Sequence, residues 1–216
     1  MLFTLVEPHR GHEVEYHRWY ERDHFYAGCM VGPWLFAGRR WVATRALKDL
    51  RTGTELDRFG GADLGSYLAV YWVLDGRHQD HFDWGLRQVM WLHENGRMFP
   101  ERDHIHTLLY RFTGGEPGTN GVPAELALDH PYQGLVAAIV DAGADRAGLA
   151  FDPIALDSTA PVAQQGGTDV AGWKMVLSFL DHEPTAADVP DGAHVRWAAP
   201  FIPTIPGTDT YADQLW

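Results

Sequence analysis

The chain has 216 residues, of which 45% are hydrophobic and 12% aromatic, and its formal net charge is −12 at pH 7. This composition is typical of a globular protein and excludes an intrinsically disordered chain. Because the sequence has no run of about 18 apolar residues, no signal-peptide pattern and a single cysteine, we expect a cytoplasmic protein without a membrane span.

Basic residues are scarce in the second part of the chain. Residues 1–114 contain 14 Lys and Arg against 15 Asp and Glu, whereas residues 115–216 contain 3 against 14. A nucleic-acid or anionic membrane surface would require clustered Lys and Arg. We therefore expect neither a nucleic acid nor a membrane as a partner.

Hydrophobic patterning predicts six elements in residues 1–114. Short β-branched or aromatic runs bounded by Gly, Pro or Asp predict strands, and longer segments with helical spacing predict helices. The predicted strands span residues 1–6, 34–45, 66–74 and 104–113, and the predicted helices span residues 11–27 and 77–94. The resulting order, β-α-β-β-α-β, is that of a ferredoxin-like α+β unit.

A Gly/Pro-rich stretch divides the sequence. Residues 115–123 predict a linker between a first unit, 1–114, and a second unit, 124–216. In the second unit, residues 142–172 have no long helical period, and residues 203–216 form a Pro/Gly-rich tail. The predicted strands there span residues 134–141, 173–180 and 193–201. We interpret this unit as a degenerate second copy that covers the first sheet, as a dimer partner would.

The predicted first helix carries polar side chains on one face. Because positions three and four residues apart are neighbours on an α-helix, this face should contain His17, Tyr20, Glu21 and His24. These groups can supply a general base, an acid and an orienting carboxylate near neutral pH. The face is either solvated, with i,i+4 pairs, or the wall of a cavity.

Residues 13–42 resemble the EthD-like branch of the dimeric α+β barrel superfamily. The residues that carry the resemblance are Trp19, Tyr20, Glu21 and His24, the Gly32-Pro33 turn, and Arg39 and Arg40 on the next strand. The turn has the reverse of the family's order, Pro-Gly, and no aliphatic run precedes it. Over the rest of residues 1–114, only the order of elements is similar.

The resemblance implies a small-molecule enzyme that performs acid–base chemistry without a cofactor. The expected reaction is a cyclisation, isomerisation or dehydration, of the lyase or isomerase type, on a hydrophobic, aromatic or polyketide-like substrate. It also implies a homodimer or a pseudo-dimeric single chain. The alternatives are an oxygenase, cofactor-free or with a His-bound metal, and a non-catalytic ligand-binding barrel.

His24 matches the histidine of the family motif and is the predicted catalytic acid or base. Tyr20 and His106 are predicted to polarise a carbonyl or enolate. His106 should share a strand face with His104, because alternate residues of a strand point the same way; alternatively, one histidine lies in solvent and the other in the core. The predicted substrate-binding residues are His17, Tyr67, Trp72, His104 and Tyr110.

The chain has twelve histidines, and histidine is a common metal ligand, so a metal site has to be considered. We predict none, with a divalent ion such as iron or zinc as the alternative. The ligands would then be His17, Glu21, His24, His104 and His106. His78 and His81 begin a helix among acidic and amide residues, which indicates solvation. The sequence contains no HExxH, phosphate-loop, GxGxxG or GxSxG motif.

Overall fold

The described residues fold into a closed barrel of eight antiparallel strands. The computed structural model describes residues 1–144, 146–154 and 170–216. The strands are β1 (Leu2–Pro8), β2 (Leu35–Val42), β3 (Tyr67–Val73), β4 (Arg102–Gly114), β5 (Gly134–Asp141), β6 (Leu149–Pro153), β7 (Trp173–Leu180) and β8 (Val195–Pro203). Around the barrel the order is β1-β3-β2-β8-β5-β7-β6-β4, and every neighbouring pair is antiparallel.

Within the described ranges, few helices surround this barrel. They are α1 (Glu13–Trp19), a π-helix (Tyr20–Met30) that continues it, α2 (Arg45–Lys48), α3 (His78–Glu94), and the 3-10 turns Leu56–Phe59 and Ala124–Leu126. Among the described residues, no helix is long and apolar enough to cross a membrane.

The predicted fold class, a ferredoxin-like α+β unit of the dimeric barrel type with a degenerate second copy, is wrong. The predicted unit would leave the two outer strands of a four-stranded sheet unpaired, but here both outer strands, β2 and β4, pair with strands from the second part of the chain. β2 pairs with β8 through Trp41 and Pro203, and β4 pairs with β6 through Tyr110 and Pro153. Pairing satisfies the edge N–H and C=O groups, so one closed barrel forms with strands from both sides of residues 115–123.

Most individual strands were predicted correctly. The strands predicted at residues 134–141 and 173–180 are confirmed as β5 and β7, and the helix predicted at 77–94 is confirmed as α3. Strand β6 was missed because it has only five residues within a segment rich in Ala, Gly and Asp. The prediction for residues 142–172 otherwise falls partly on residue 145 and residues 155–169, which lie outside the described residues.

The first helix is not the regular α-helix that was predicted for residues 11–27. After Trp19 the helix widens into the π-helix, and near its end the Val31 amide donates to the Tyr26 carbonyl at 3.0 Å, an i to i−5 hydrogen bond. The i to i−5 hydrogen bonds widen the turn, so residues four and five positions apart lie near one another. His24 therefore stacks on Trp19, with ring centroids 4.6 Å apart.

Aromatic side chains fill the barrel interior. Phe3 of β1 meets Trp197 of β8 edge-to-face, with centroids 6.5 Å apart, and both are fully buried. Phe59 enters from the 3-10 turn after α2 and packs 5.4 Å from Trp197. The interior is thus a packed core, as is usual for a barrel of this strand number. The two cavities described below lie beneath the helices and at one barrel end.

The tail after β8 packs on α1. Thr208 accepts a hydrogen bond from His17 Nε2 at 2.9 Å through its carbonyl, and Gln214 accepts one from the Arg45 amide at 2.7 Å. Leu215 is fully buried, and the Trp216 indole donates to Glu13. The tail therefore fixes the outer side of the first helix.

Candidate active site in the helix-side cavity

A cavity of about 330 Å³ lies between the barrel wall and two helices. We call it the helix-side cavity. Its floor is the outer face of β1 and β4, and its roof is formed by the π-helix and α3. The lining is mostly apolar, and the polar side chains in it are Thr4, Tyr20, His24, His81, Arg102, His104 and Thr107. This composition, apolar walls with a few converging polar groups, is typical of small-molecule sites.

His24 occupies the predicted position, facing a cavity. Its imidazole is held between Trp19, which stacks on it, and Tyr20, whose ring centroid lies 5.1 Å away in a perpendicular arrangement. Burial lowers the pKa of His24 to about 3, and the charge of Arg102 acts in the same direction. Among the described residues, Nδ1 of His24 has no hydrogen-bond partner. The ring is therefore neutral and incompletely hydrogen-bonded.

Tyr20 lies beside His24, as predicted, but its hydroxyl is engaged elsewhere. It shares a hydrogen bond of 2.9 Å with the hydroxyl of Tyr71 on β3. Burial raises the pKa of Tyr20 well above its ordinary value. The guanidinium of Arg40 lies 4.6 Å over the ring. Tyr20 is thus a neutral wall residue whose hydroxyl belongs to a buried pair.

His104 shares this cavity with His24. Its Nδ1 forms a hydrogen bond of 2.9 Å with Thr107 Oγ1. Burial lowers the pKa of His104 to about 4, and Arg102 again contributes.

The prediction that His104 and His106 share a strand face is wrong. The pairing of β1 with β4 shifts between Leu5 and Val6, whose partners are His106 and His104. Ile105 is the extra residue of this β-bulge, and such an insertion reverses the alternation of side chains. His104 therefore points to the helices and His106 into the barrel.

His106 lies in the barrel core, on the opposite side of the wall from His24. Its Nε2 is 2.6 Å from the Tyr110 hydroxyl, and its ring packs between Phe3 and Phe59, with centroids 5.8 and 5.4 Å away. The predicted pairing of His24 with His106 is therefore not formed in this structure. His104 takes the position beside His24.

His81 is a lining residue that the sequence analysis placed in solvent. It is 5% exposed, burial lowers its pKa to about 4, and its Nδ1 has no hydrogen-bond partner among the described residues. The helical period could have identified His81 as a lining residue, because His81, Gly85 and Val89 are spaced four residues apart and all line the cavity. The acidic neighbours suggested solvation instead.

Arg102 was also missed by the sequence analysis. It lines the cavity, and its guanidinium lies 4.9 Å over the Trp19 ring. Burial lowers its pKa. Arg102 forms no ion pair with any carboxylate in the described part of the chain. In the described residues, the helix-side cavity thus holds a cation that forms no ion pair, next to three neutral imidazoles.

The other predicted binding residues lie in two further places. His17 is 3.3 Å from Glu21 and packs near Tyr67, under the tail, and burial lowers its pKa. The predicted face is therefore divided, since this pair faces the tail while Tyr20 and His24 face the cavity. Trp72 and Tyr110 line a second cavity at one barrel end.

The conditional metal ligands do not converge. The predicted set is split between the tail contact, the helix-side cavity and the barrel core. In the residues that the structure describes, no three His, Cys, Asp or Glu side chains lie close enough to hold one metal ion. The predicted five-residue set therefore does not form a common site.

Comparison with known proteins found no matching family model, no similar curated protein and no similar solved structure. The relation to the EthD-like branch stays a prediction from the motif around His24.

Proposed function

We propose that this protein is an enzyme that performs acid–base chemistry on a hydrophobic carbonyl compound in the helix-side cavity. The observation that carries the proposal is the pairing of a neutral, incompletely hydrogen-bonded His24 with the unpaired cation Arg102 in one apolar cavity. Consistent reactions are an isomerisation, a dehydration or a cyclisation of an aromatic or polyketide-like substrate.

The proposed first step is removal of a proton from the carbon next to the carbonyl group. The imidazole of His24 accepts this proton, and the electron pair of the broken C–H bond moves onto the carbonyl oxygen to give an enolate. Arg102 stabilises the enolate, as cationic donors do where negative charge develops. In the free enzyme His24 is a weak base, but the enolate beside it favours the imidazolium form.

The second step returns the proton from His24. If a C=C bond is conjugated with the enolate, delivery of the proton to the far carbon of this dienolate gives an isomer. If the neighbouring carbon carries a hydroxyl group, the electron pair of the enolate forms a C=C bond as the C–O bond breaks, and the proton from His24 leaves with the hydroxyl group as water. His104 and His81 are neutral at pH 7, since their pKa values are lowered to about 4, so each can donate one hydrogen bond to the substrate. These residues orient the substrate in this proposal, and His106 has no part in it.

The proposal is tested by hydrogen exchange on 2-tetralone, a bicyclic ketone. In D2O the protein should replace hydrogens next to the carbonyl with deuterium faster than buffer does, as measured by mass spectrometry. His24→Gln should reduce the enzymatic rate by about 10²- to 10⁴-fold, the range of general acid–base catalysis. His93→Gln is the matched control, because His93 is exposed on α3 and outside the cavity.

An unchanged rate in a folded His24→Gln variant would contradict the role of His24. A wild-type protein that binds 2-tetralone without accelerating exchange would overturn the enzymatic proposal and indicate a ligand-binding protein.

A further inference from the structure

A second cavity, of about 500 Å³, opens at one end of the barrel. We call it the barrel-mouth cavity. The ends of β3 and β4 form it together with β6 and the start of β2. Its main lining residues are Phe36, Trp72, Tyr110, Phe112, Leu149 and Phe151. Leu109 lines the helix-side cavity and Tyr110 the barrel-mouth cavity, so the barrel wall separates the two.

Aromatic rings form the walls of the barrel-mouth cavity. Trp72 and Phe151 are stacked, with centroids 5.8 Å apart and planes at 29°, and Phe112 lies 5.5 Å from Phe151. Phe36 and Phe112 are 47% and 48% exposed at the rim. Large apolar side chains grouped around a concave opening commonly mark a binding site.

A polar group in this wall lacks a partner. Trp72 is 6% exposed, and its indole Nε1 has no hydrogen-bond acceptor among the described residues. A buried indole N–H usually finds an acceptor. By contrast, the Tyr110 hydroxyl is already bonded to His106.

Charges at the rim have both signs. The ionisable side chains that line the opening are Arg111, Asp75, Glu125 and His78, so the cavity offers no excess of positive charge for an anion. A neutral ligand therefore fits this distribution better than an anion.

We infer that the barrel-mouth cavity is a second binding site, which takes a neutral, planar aromatic compound with a carbonyl group. The rings of Trp72, Phe112 and Phe151 contact the ligand's apolar body, and its carbonyl oxygen accepts a hydrogen bond from Trp72. The volume suits a ligand of two or three fused rings. This inference does not depend on the proposed function.

The test uses prodan, a neutral naphthalene ketone whose fluorescence reports binding and hydrogen bonding to its carbonyl. All measurements are made in a protein that carries Gly85→Leu. The leucine side chain occupies the helix-side cavity, so only the barrel-mouth cavity remains open to prodan. In this background prodan should bind with one-to-one stoichiometry. Phe112→Glu should weaken binding at least tenfold, since it puts a charge into the apolar wall.

Met90→Glu is the matched control, because Met90 is 54% exposed and lines neither cavity. It should change prodan affinity less than twofold. In a second readout, prodan should shift the indole N–H resonance of Trp72 in the NMR spectrum, assigned by its loss in Trp72→Phe. Equal affinities of the Phe112→Glu and Met90→Glu proteins, or an unshifted Trp72 resonance at saturation, would overturn the inference.

Discussion

The imidazole of His24 lies directly over Gly28, one turn later in the π-helix. A β-carbon added to Gly28 would come within 2.5 Å of both Cε1 and Nδ1 of the ring. On the other side the ring stacks on Trp19. Because Gly28 has no side chain, it leaves room for the His24 ring. A substitution that adds one methyl group at this position tests the relation.

Gly28→Ala should displace the His24 ring from Trp19. Because a contact of 2.5 Å is not tolerated, we expect the ring to move and the free energy of unfolding to fall by about 1–3 kcal/mol, the usual cost of overpacking. Urea denaturation measures the stability, and the NMR shifts of His24 report the ring position.

Gly85→Ala makes the same chemical change where a new β-carbon meets nothing within 4 Å. It should increase stability by about 0.5–1 kcal/mol, because alanine favours an α-helix over glycine. Equal effects of the two substitutions would show that Gly28 does not hold His24 in place.

Gly85→Leu should fill part of the helix-side cavity without disturbing the fold. The leucine side chain enters open space among His81, Leu86 and Val89, which line the cavity with it. We expect at least a tenfold loss of 2-tetralone affinity with an unchanged circular dichroism spectrum. Retained binding and exchange activity would place the substrate elsewhere.

Acid should destabilise the protein through the three histidines that line the helix-side cavity. Their pKa values are lowered from 6.5 to about 3 for His24 and about 4 for His81 and His104, so the unfolded chain binds protons that the folded chain excludes. This stability is fully present above pH 6.5 and is lost as the pH falls toward 4. At pH 5 each histidine costs about 2 kcal/mol.

His81→Asn isolates one of these contributions. The difference in unfolding free energy between pH 7 and pH 5, measured with urea, should shrink by about 2 kcal/mol relative to the wild type. His93→Asn, on the exposed side of α3, should keep the wild-type difference. Parallel pH profiles for His81→Asn and the wild type would contradict burial of a neutral His81.

Arg102→Gln should remove the cation from the helix-side cavity. Because Arg102 lowers the pKa of His24, that pKa should rise in the variant, as measured by NMR titration. Binding of 2-naphthoate, an aromatic carboxylate, should weaken at least tenfold because the carboxylate loses its countercharge. Arg111→Gln is the control, since Arg111 lines only the barrel-mouth cavity. An unchanged His24 titration would contradict the proximity of Arg102.

The amino-acid sequence by itself determined where most of the strands and the long helix α3 form. The run at residues 66–74 contains β-branched and aromatic residues without a breaker, and the observed strand is Tyr67–Val73. The apolar spacing and the helix-ending pair Asn95-Gly96 predicted both ends of α3 to within one residue. The motif around Tyr20 and His24 also identified two residues that line a cavity. Strand and helix formation depend on neighbours in the chain, so a local pattern predicts them.

Only the tertiary structure decided how these segments combine. The barrel closes because β2 pairs with β8 and β4 pairs with β6, and the strands of each pair lie far apart in sequence. The bulge at Ile105, which separates His104 from His106, depends on the partner strand. His81 and Arg102 join His24 only because α3 and β4 pack against the π-helix. The alternation of a strand and the period of a helix predict which side chains share a face of one element. Contacts between elements decide which of these side chains meet in a site.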